Sequence, residues 1–311
     1  MQTNQTKTLY FSSILRIDPD DPETPQEDIE VAELYGLPSS ADDLFKALDD
    51  LKDDGIQYEL IENTRDIWAR DYMPVGTKKG RYVSFRYEPS YHKNREEIED
   101  RTIFVEHLND QFSHLKVDEC DINLDGGNVV FSPLKNKAII THRIYEENPE
   151  CDREELKTKL AEVLDAQIII IPSYDEIDEN GEYEDKTGHA DGMVRFVAED
   201  TVICNETGDR LEEEIKDILR KEGIDVIDFP YLEWYEDNNS EEECLERCYI
   251  NFLETEKYIF LPVFGSDLDD EAEKKVERLF RKQVVRVNIS EIAEKGGGLL
   301  NCISWECEPS F

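Results

Sequence analysis

The sequence predicts an α/β chain on two observations. Stretches with apolar residues at helical spacing alternate with apolar β-type runs from end to end, and pairs of short strands are joined by connections of hairpin length. Ser40 and Asp43 have capping-box spacing, Leu44, Leu48 and Leu51 then recur on one face, and Gly55 supplies a stop before the strand QYELI at 57–61. NVVF and AIIT flank SPLKNK as a hairpin, after which Leu156, Leu160 and Val163 mark a helix ahead of QIIII. MVRFV and TVIC flank AED, and Leu211, Ile215 and Ile218 mark a helix that ends at Gly223 before DVIDF. YINFL and YIFLP flank ETEK, and Ala272, Val276 and Leu279 precede VVRVN. No composition break or long Pro/Gly/Ser linker interrupts this rhythm, so residues 1–311 are expected to form one domain. Acidic stretches at 18–29, 174–186 and 236–246 read as solvated connections.

With 311 residues, 39% of them hydrophobic, the chain can bury a large core and is not a disordered one. No run approaches the roughly 18 consecutive apolar residues a membrane helix needs, and MQTNQTKTLYFSSIL lacks the features of a secretion signal, so a soluble, cytoplasmic protein is expected. Seven scattered cysteines, an odd number, favour reduced thiols over a disulfide scaffold. The formal charge of −40 disfavours nucleic acid and anionic membranes as partners and favours small cations, although solubility alone also accounts for such a surface.

Four constellations could carry chemistry. In NTRDIWARDYMP, Asp66, Arg70 and Asp71 lie close in sequence to Trp68; carboxylates beside an aromatic face suit a guanidinium, while an Arg–Asp pair bracing a loop is the structural alternative. LDGGNVVF sets Gly126 and Gly127 between Asp125 and Asn128, which suits a close backbone approach or simply a turn entering a strand. In GHADGMVRFV, a strand starting near Gly188 would project His189 and Asp191 from the same face, so that one could hold substrate while the other moves protons. In EKGGGLLNCISWECE, Gly296, Gly297 and Gly298 precede Cys302, a place where backbone turns sharply or passes close to a ligand; a buried strand cysteine in CISW is the alternative. A metal site fits poorly. The His-x-Asp iron motif lacks a histidine after position 189, and neither Cys244 with Cys248 nor Cys302 with Cys307 has C-x-x-C spacing.

In this order WxRDxxP, a GG turn, GHxD, YxNFL followed by a strand ending in Pro, and GGGxxxC resemble the agmatine deiminase family, which includes the bacterial peptidylarginine deiminases. The resemblance runs from about residue 57 to the C-terminus. It implies the pentein fold, a five-bladed pseudosymmetric α/β propeller, at about 60 residues per unit. It also implies roles: Cys302 as nucleophile, His189 as general acid/base, and Asp71 and Asp191 as the carboxylates holding the guanidinium. Asp125 stands where many relatives place a Glu that orients the histidine, Asn251 matches an asparagine associated with the site, Trp68 would flank the substrate, and Gly298 belongs to the glycine run beside the nucleophile.

The implied reaction is hydrolytic deimination through a covalent Cys302 adduct, with agmatine as the default substrate and peptidyl-arginine or another guanidine as the alternative. The expected partner is a small cationic guanidino substrate. Neither metal nor organic cofactor is required, and a homodimer is expected by resemblance only. Two departures bear on this. Asp125 is one methylene shorter than Glu, so the backbone must move inward or the histidine must turn, and Asn301 replaces the His common in GGGxxHC. An amidinotransferase would use the same residues with water excluded. A binding-only protein has no need of the full set, and a papain-like protease does not fit a C-terminal cysteine with paired carboxylates.

Overall fold

The computed structural model describes residues 7–64, 66–91, 111–173, 187–232 and 247–307. The acidic stretches 174–186 and 236–246, with Cys244, lie outside the described residues. The chain forms two compact units, residues 1–69 with 230–311 and residues 70–229.

One wiring pattern recurs in both units. In residues 70–229, the strand Lys137–Thr141 pairs antiparallel with Val130–Phe131 across a hairpin and parallel with Gln167–Ile171. The parallel step needs a long crossover, supplied by helices Arg143–Glu146 and Arg153–Leu164. Thr201–Asn205 repeats this with Val194–Ala198 and Asp225–Phe229 around the helix Arg210–Lys221. Tyr82–Arg86 repeats it with Val75–Gly76 and Val117–Asn123. In the other unit, Tyr258–Val263 lies between Leu253–Glu254 and Gln283–Asn288 with the helix Leu268–Phe280 between. The fifth such sheet closes the chain on itself: Thr8–Ser12 runs parallel to Tyr58–Ile61, and its antiparallel partner is the last strand, Ser304–Cys307. A two-stranded ribbon joins Tyr231–Leu232 to Arg247–Cys248.

The local chemistry explains most boundaries. Asp152 accepts from the N–H groups of Glu154 and Glu155 at 3.0 and 3.2 Å, starting its helix, and Asp209 does the same for Glu212 at 2.7 Å. Gly55 and Gly223 take left-handed φ values of 96° and 76° where the preceding helical segments stop. Leu156, Leu160 and Leu164 are buried against Val83, Phe85, Ile122, Ala138 and Ile140, while Val163 packs at the margin of that core. Ile215 and Leu219 do the same against Ile169, Val194, Phe196 and Val202.

Three local expectations are corrected. Ser40 does not cap a helix; its hydroxyl donates to the Tyr35 carbonyl at 2.7 Å, and Asp42–Asp50 follows a 3-10 turn without a side-chain cap. YINFL is a strand only from Leu253, so Asn251 sits in a bend, where its carbonyl accepts from Asn301 N at 3.2 Å. The strand after His189 begins at Val194, and a 3-10 turn occupies Ala190–Gly192. Among the described residues no helix is long and apolar enough to cross a membrane.

Leu160 is fully buried in the core beneath the Lys137–Thr141 sheet. Leu160→Ala should cost about 2–5 kcal/mol, read as a lowered midpoint with unchanged slope in urea unfolding.

Candidate active site

Within residues 70–229, three separate segments deliver acidic side chains to one imidazole. Asp71 rides on the short helix Ala69–Tyr72, Asp125 precedes the 3-10 turn Gly126–Asn128, and His189 precedes the turn that carries Asp191. All four are buried, with 6 to 8% of their surface exposed. His189 Nε2 meets Asp125 Oδ2 at 2.7 Å, and its Nδ1 lies 3.5 Å from Asp71 Oδ1. The shorter Asp125 side chain therefore reaches the histidine. Asp71 Oδ1 also accepts from the Gly127 N–H at 3.1 Å.

The glycine pair makes this approach possible. A Cβ on Gly127 would collide with Asp71 Oδ1, stand 2.8 Å from His189 Nδ1 and touch Asp191 Oδ2 at 3.5 Å. A Cβ on Gly126 would collide with the Arg70 carbonyl. The side chain at either position must be absent for the backbone to lie under the cluster. Asn128 finishes the turn: its Oδ1 accepts from Thr141 N at 3.0 Å and Ala190 N at 3.2 Å, pinning the peptide between His189 and Asp191 to the neighbouring strand.

Burial by itself drives the imidazole toward its neutral form, but the Asp71 charge, the hydrogen bond and charge of Asp125 and the Asp191 charge together outweigh it and hold His189 at about 9. The ring is therefore protonated at neutral pH. Around it three carboxylates crowd one buried space, an arrangement suited to binding a cation.

The other predicted residues belong to residues 1–69 with 230–311. Cys302 is buried in the turn ahead of Ser304–Cys307, not within that strand. Asn251 clamps it: Oδ1 accepts from the backbone N–H of Asn301 and Cys302 at 3.1 and 3.3 Å, and Nδ2 donates to Cys302 Sγ at 3.2 Å. The sulfur also lies 3.4 Å from Oδ1, to which its S–H can donate, so both ends of the amide meet it. Trp68 stands edge-on to Tyr35, with ring centroids 5.7 Å apart, and its Nε1 donates to the Tyr35 hydroxyl at 3.3 Å. A Cβ on Gly296 or Gly298 would run into the Trp68 ring, so the glycine run makes room for the indole. Trp68 and Asp71, three residues apart, thus serve different settings: the indole packs on the glycine run and the carboxylate faces His189.

Sequence reasoning assigned no role to Tyr91, Asn128 or Tyr35. Asn128 brackets the glycine pair and so was near a visible signal, whereas nothing local distinguishes Tyr91 or Tyr35.

A model of the Porphyromonas-type peptidyl-arginine deiminase family matches residues 37–307. A Lactococcus lactis protein provisionally named an agmatine deiminase is 28% identical over 185 residues, 50% of this chain and 49% of that protein; the chain thus matches about half the length of that curated relative. A substrate-bound agmatine deiminase from C. jejuni superposes with a TM-score of 0.75 at 18% identity, covering 98% of this chain and 94% of the other. The agmatine deiminase of Enterococcus faecalis does so with a TM-score of 0.66 at 18% identity, covering 98% and 93%. These likenesses show the five-bladed α/β pentein fold, in accord with the five repeats of one sheet wiring.

Two outcomes follow from the cluster and the glycine run. Because the folded His189 lies above its unfolded value of 6.5, its contribution to stability is complete below pH 6.5 and is lost as pH rises through about 9; the unfolding free energy should fall across that window more steeply in the wild type than in His189→Gln. Gly298→Ala should cost about 1–3 kcal/mol in urea unfolding, since the Trp68 ring must move to admit the methyl.

Proposed function

This chain belongs to the Porphyromonas-type peptidyl-arginine deiminase family, and we propose that it catalyses hydrolytic removal of ammonia from a small guanidino compound, with agmatine as the first candidate. The observation that carries this reading is the buried group of Asp71, Asp125 and Asp191 around one protonated imidazole. Buried carboxylates that converge on one imidazole match the planar, divergent N–H edges of a guanidinium, which pairs with carboxylates through two parallel hydrogen bonds. An amide or ester substrate offers no such charge.

The roles follow from the family motifs, residue by residue. The Cys302 thiolate attacks the guanidinium carbon, forming the C–S bond and a tetrahedral centre, while Asn251 supports the sulfur. Asp71 and Asp191 hold the substrate nitrogens and fix its plane. A bound guanidinium offsets the same charges that raise His189, so binding weakens the imidazole's hold on its proton and makes it available to the departing ammonia. The C–N bond breaks, leaving an amidino group on Cys302. Neutral His189 then takes a proton from water, hydroxide adds to the carbon, and the sulfur leaves with the ureido product released. Asp125 keeps the imidazole oriented through Nε2. The free thiols at Cys120, Cys151, Cys204, Cys248, Cys302 and Cys307 suit a reducing, cytoplasmic setting.

The test is ammonia release from agmatine, free arginine, an arginine peptide and methylated guanidines. Release from one of these should disappear in Cys302→Ala and fall by at least about 100-fold in Asp191→Asn, the scale of losing a group that acts in the transition state. Ammonia release that survives Cys302→Ala, or silence across the panel from folded and reduced protein, would sink the reading.

A further inference from the structure

We propose that Tyr91 is a positioning residue for His189, acting through Asp125: its hydroxyl donates to the same carboxylate oxygen that holds the imidazole. The inference rests on the deiminase reading for its catalytic meaning, though not for its geometry. Tyr91 Oη lies 3.0 Å from Asp125 Oδ2, and His189 Nε2 lies 2.7 Å from that atom. The Tyr91 and His189 rings meet edge to face with centroids 6.2 Å apart. One oxygen thus serves two donors, one of them the group that moves protons.

The protein builds a support for this contact. The guanidinium carbon of Arg143 stands 5.3 Å over the Tyr91 ring, and Arg143 is itself buried. Its Nε donates to Glu147 Oε1 at 3.2 Å and its Nη2 to Ser90 Oγ at 3.1 Å. Glu147 in turn accepts from Ser90 N at 3.0 and 3.1 Å and from Asn123 Nδ2 at 3.1 Å. Asn123 completes the tie by accepting from Glu88 N at 2.8 Å and donating to the Glu88 carbonyl at 2.7 Å. The segment that carries Tyr91 is therefore stitched to the segment that carries Asp125, two residues beyond Asn123.

The electrostatics give the contact a direction. Burial, then the Asp125 charge, with Tyr87 and Asp71 adding, push the Tyr91 phenol well above its ordinary value, so it remains a donor. A donor on Asp125 Oδ2 withdraws part of the charge felt by the imidazole. Asp71, Asp125 and Asp191 all raise His189, and Tyr91 tempers one of them. Left untempered, His189 would hold its proton more tightly and release it less readily to a leaving group. Tyr91 also supplies a second fixed contact to a carboxylate one methylene shorter than the Glu implied by the family resemblance.

The experiment is a histidine-ring NMR titration of the full chain, with the His189 resonance assigned by its loss in His189→Gln. In Tyr91→Phe, which keeps the ring beneath Arg143, the His189 midpoint should rise by about one pH unit, a tenfold gain in proton affinity. The pH profile of kcat should move with it while KM holds. In an Asp125→Asn background the added Tyr91→Phe change should leave the midpoint where it was. A midpoint that stays or falls in folded Tyr91→Phe overturns the proposal, as does a shift undiminished by Asp125→Asn. The titration needs no substrate: if the midpoint moves while ammonia release is absent, the deiminase reading fails and the Tyr91 contact stands.

Discussion

Everything in residues 70–229 that concerns chemistry depends on holding three carboxylates around one imidazole out of water. Such a group is expensive, because each buried charge loses its hydration and the three repel one another. The fold meets the cost with fixed donors, Gly127 N to Asp71, Tyr91 Oη to Asp125 and His189 Nε2 to Asp125, and with the imidazole charge 3.5 Å from Asp71. The carboxylates act together on the imidazole, which explains why His189 is charged at neutral pH in spite of its burial.

The repeated sheet provides the rigid ground for this. Each repeat sets a short hairpin beside a parallel crossover, and the segments flanking the strands are left to carry function. Asp125 leaves the end of Val117–Asn123, the Ala190–Gly192 turn leads into Val194–Ala198, and Asn128 ties that turn to Lys137–Thr141. These contacts are made by backbone N–H groups against one side-chain amide. Their geometry is set by the sheets and not by loop conformation alone.

The turn around Cys302 in the other unit follows a similar economy. The Asn251 amide spans the Cys302 main chain and its sulfur at once. The glycine run beside it has a steric purpose: Gly296 and Gly298 lie where the Trp68 ring passes, and Tyr35 fixes that ring from its edge. Backbone that must lie against an indole face tolerates no side chain.

The sequence by itself determined the repeating elements, since periodicity and stops such as Gly55 and Gly223 act within a few residues of the backbone they shape, while the cap read at Ser40 did not form. It also determined the candidate residues Cys302, His189, Asp71, Asp191, Asp125 and Asn251, because their order and the glycines beside them are local features of the chain. Three things were decided only by the tertiary structure: which imidazole nitrogen faces which carboxylate, why Gly127 cannot bear a side chain, and that Tyr91 and Asn128 contact the segments of this cluster. The Asp125 oxygen is reached by Tyr91 from 34 residues away and by His189 from 64, and Asn128 reaches Ala190 across 62. In place of the strand expected at Gly188 there is a 3-10 turn at Ala190–Gly192, whose first N–H donates to Asn128. Distances across such spans follow from how the sheets pack, and no local periodicity encodes them.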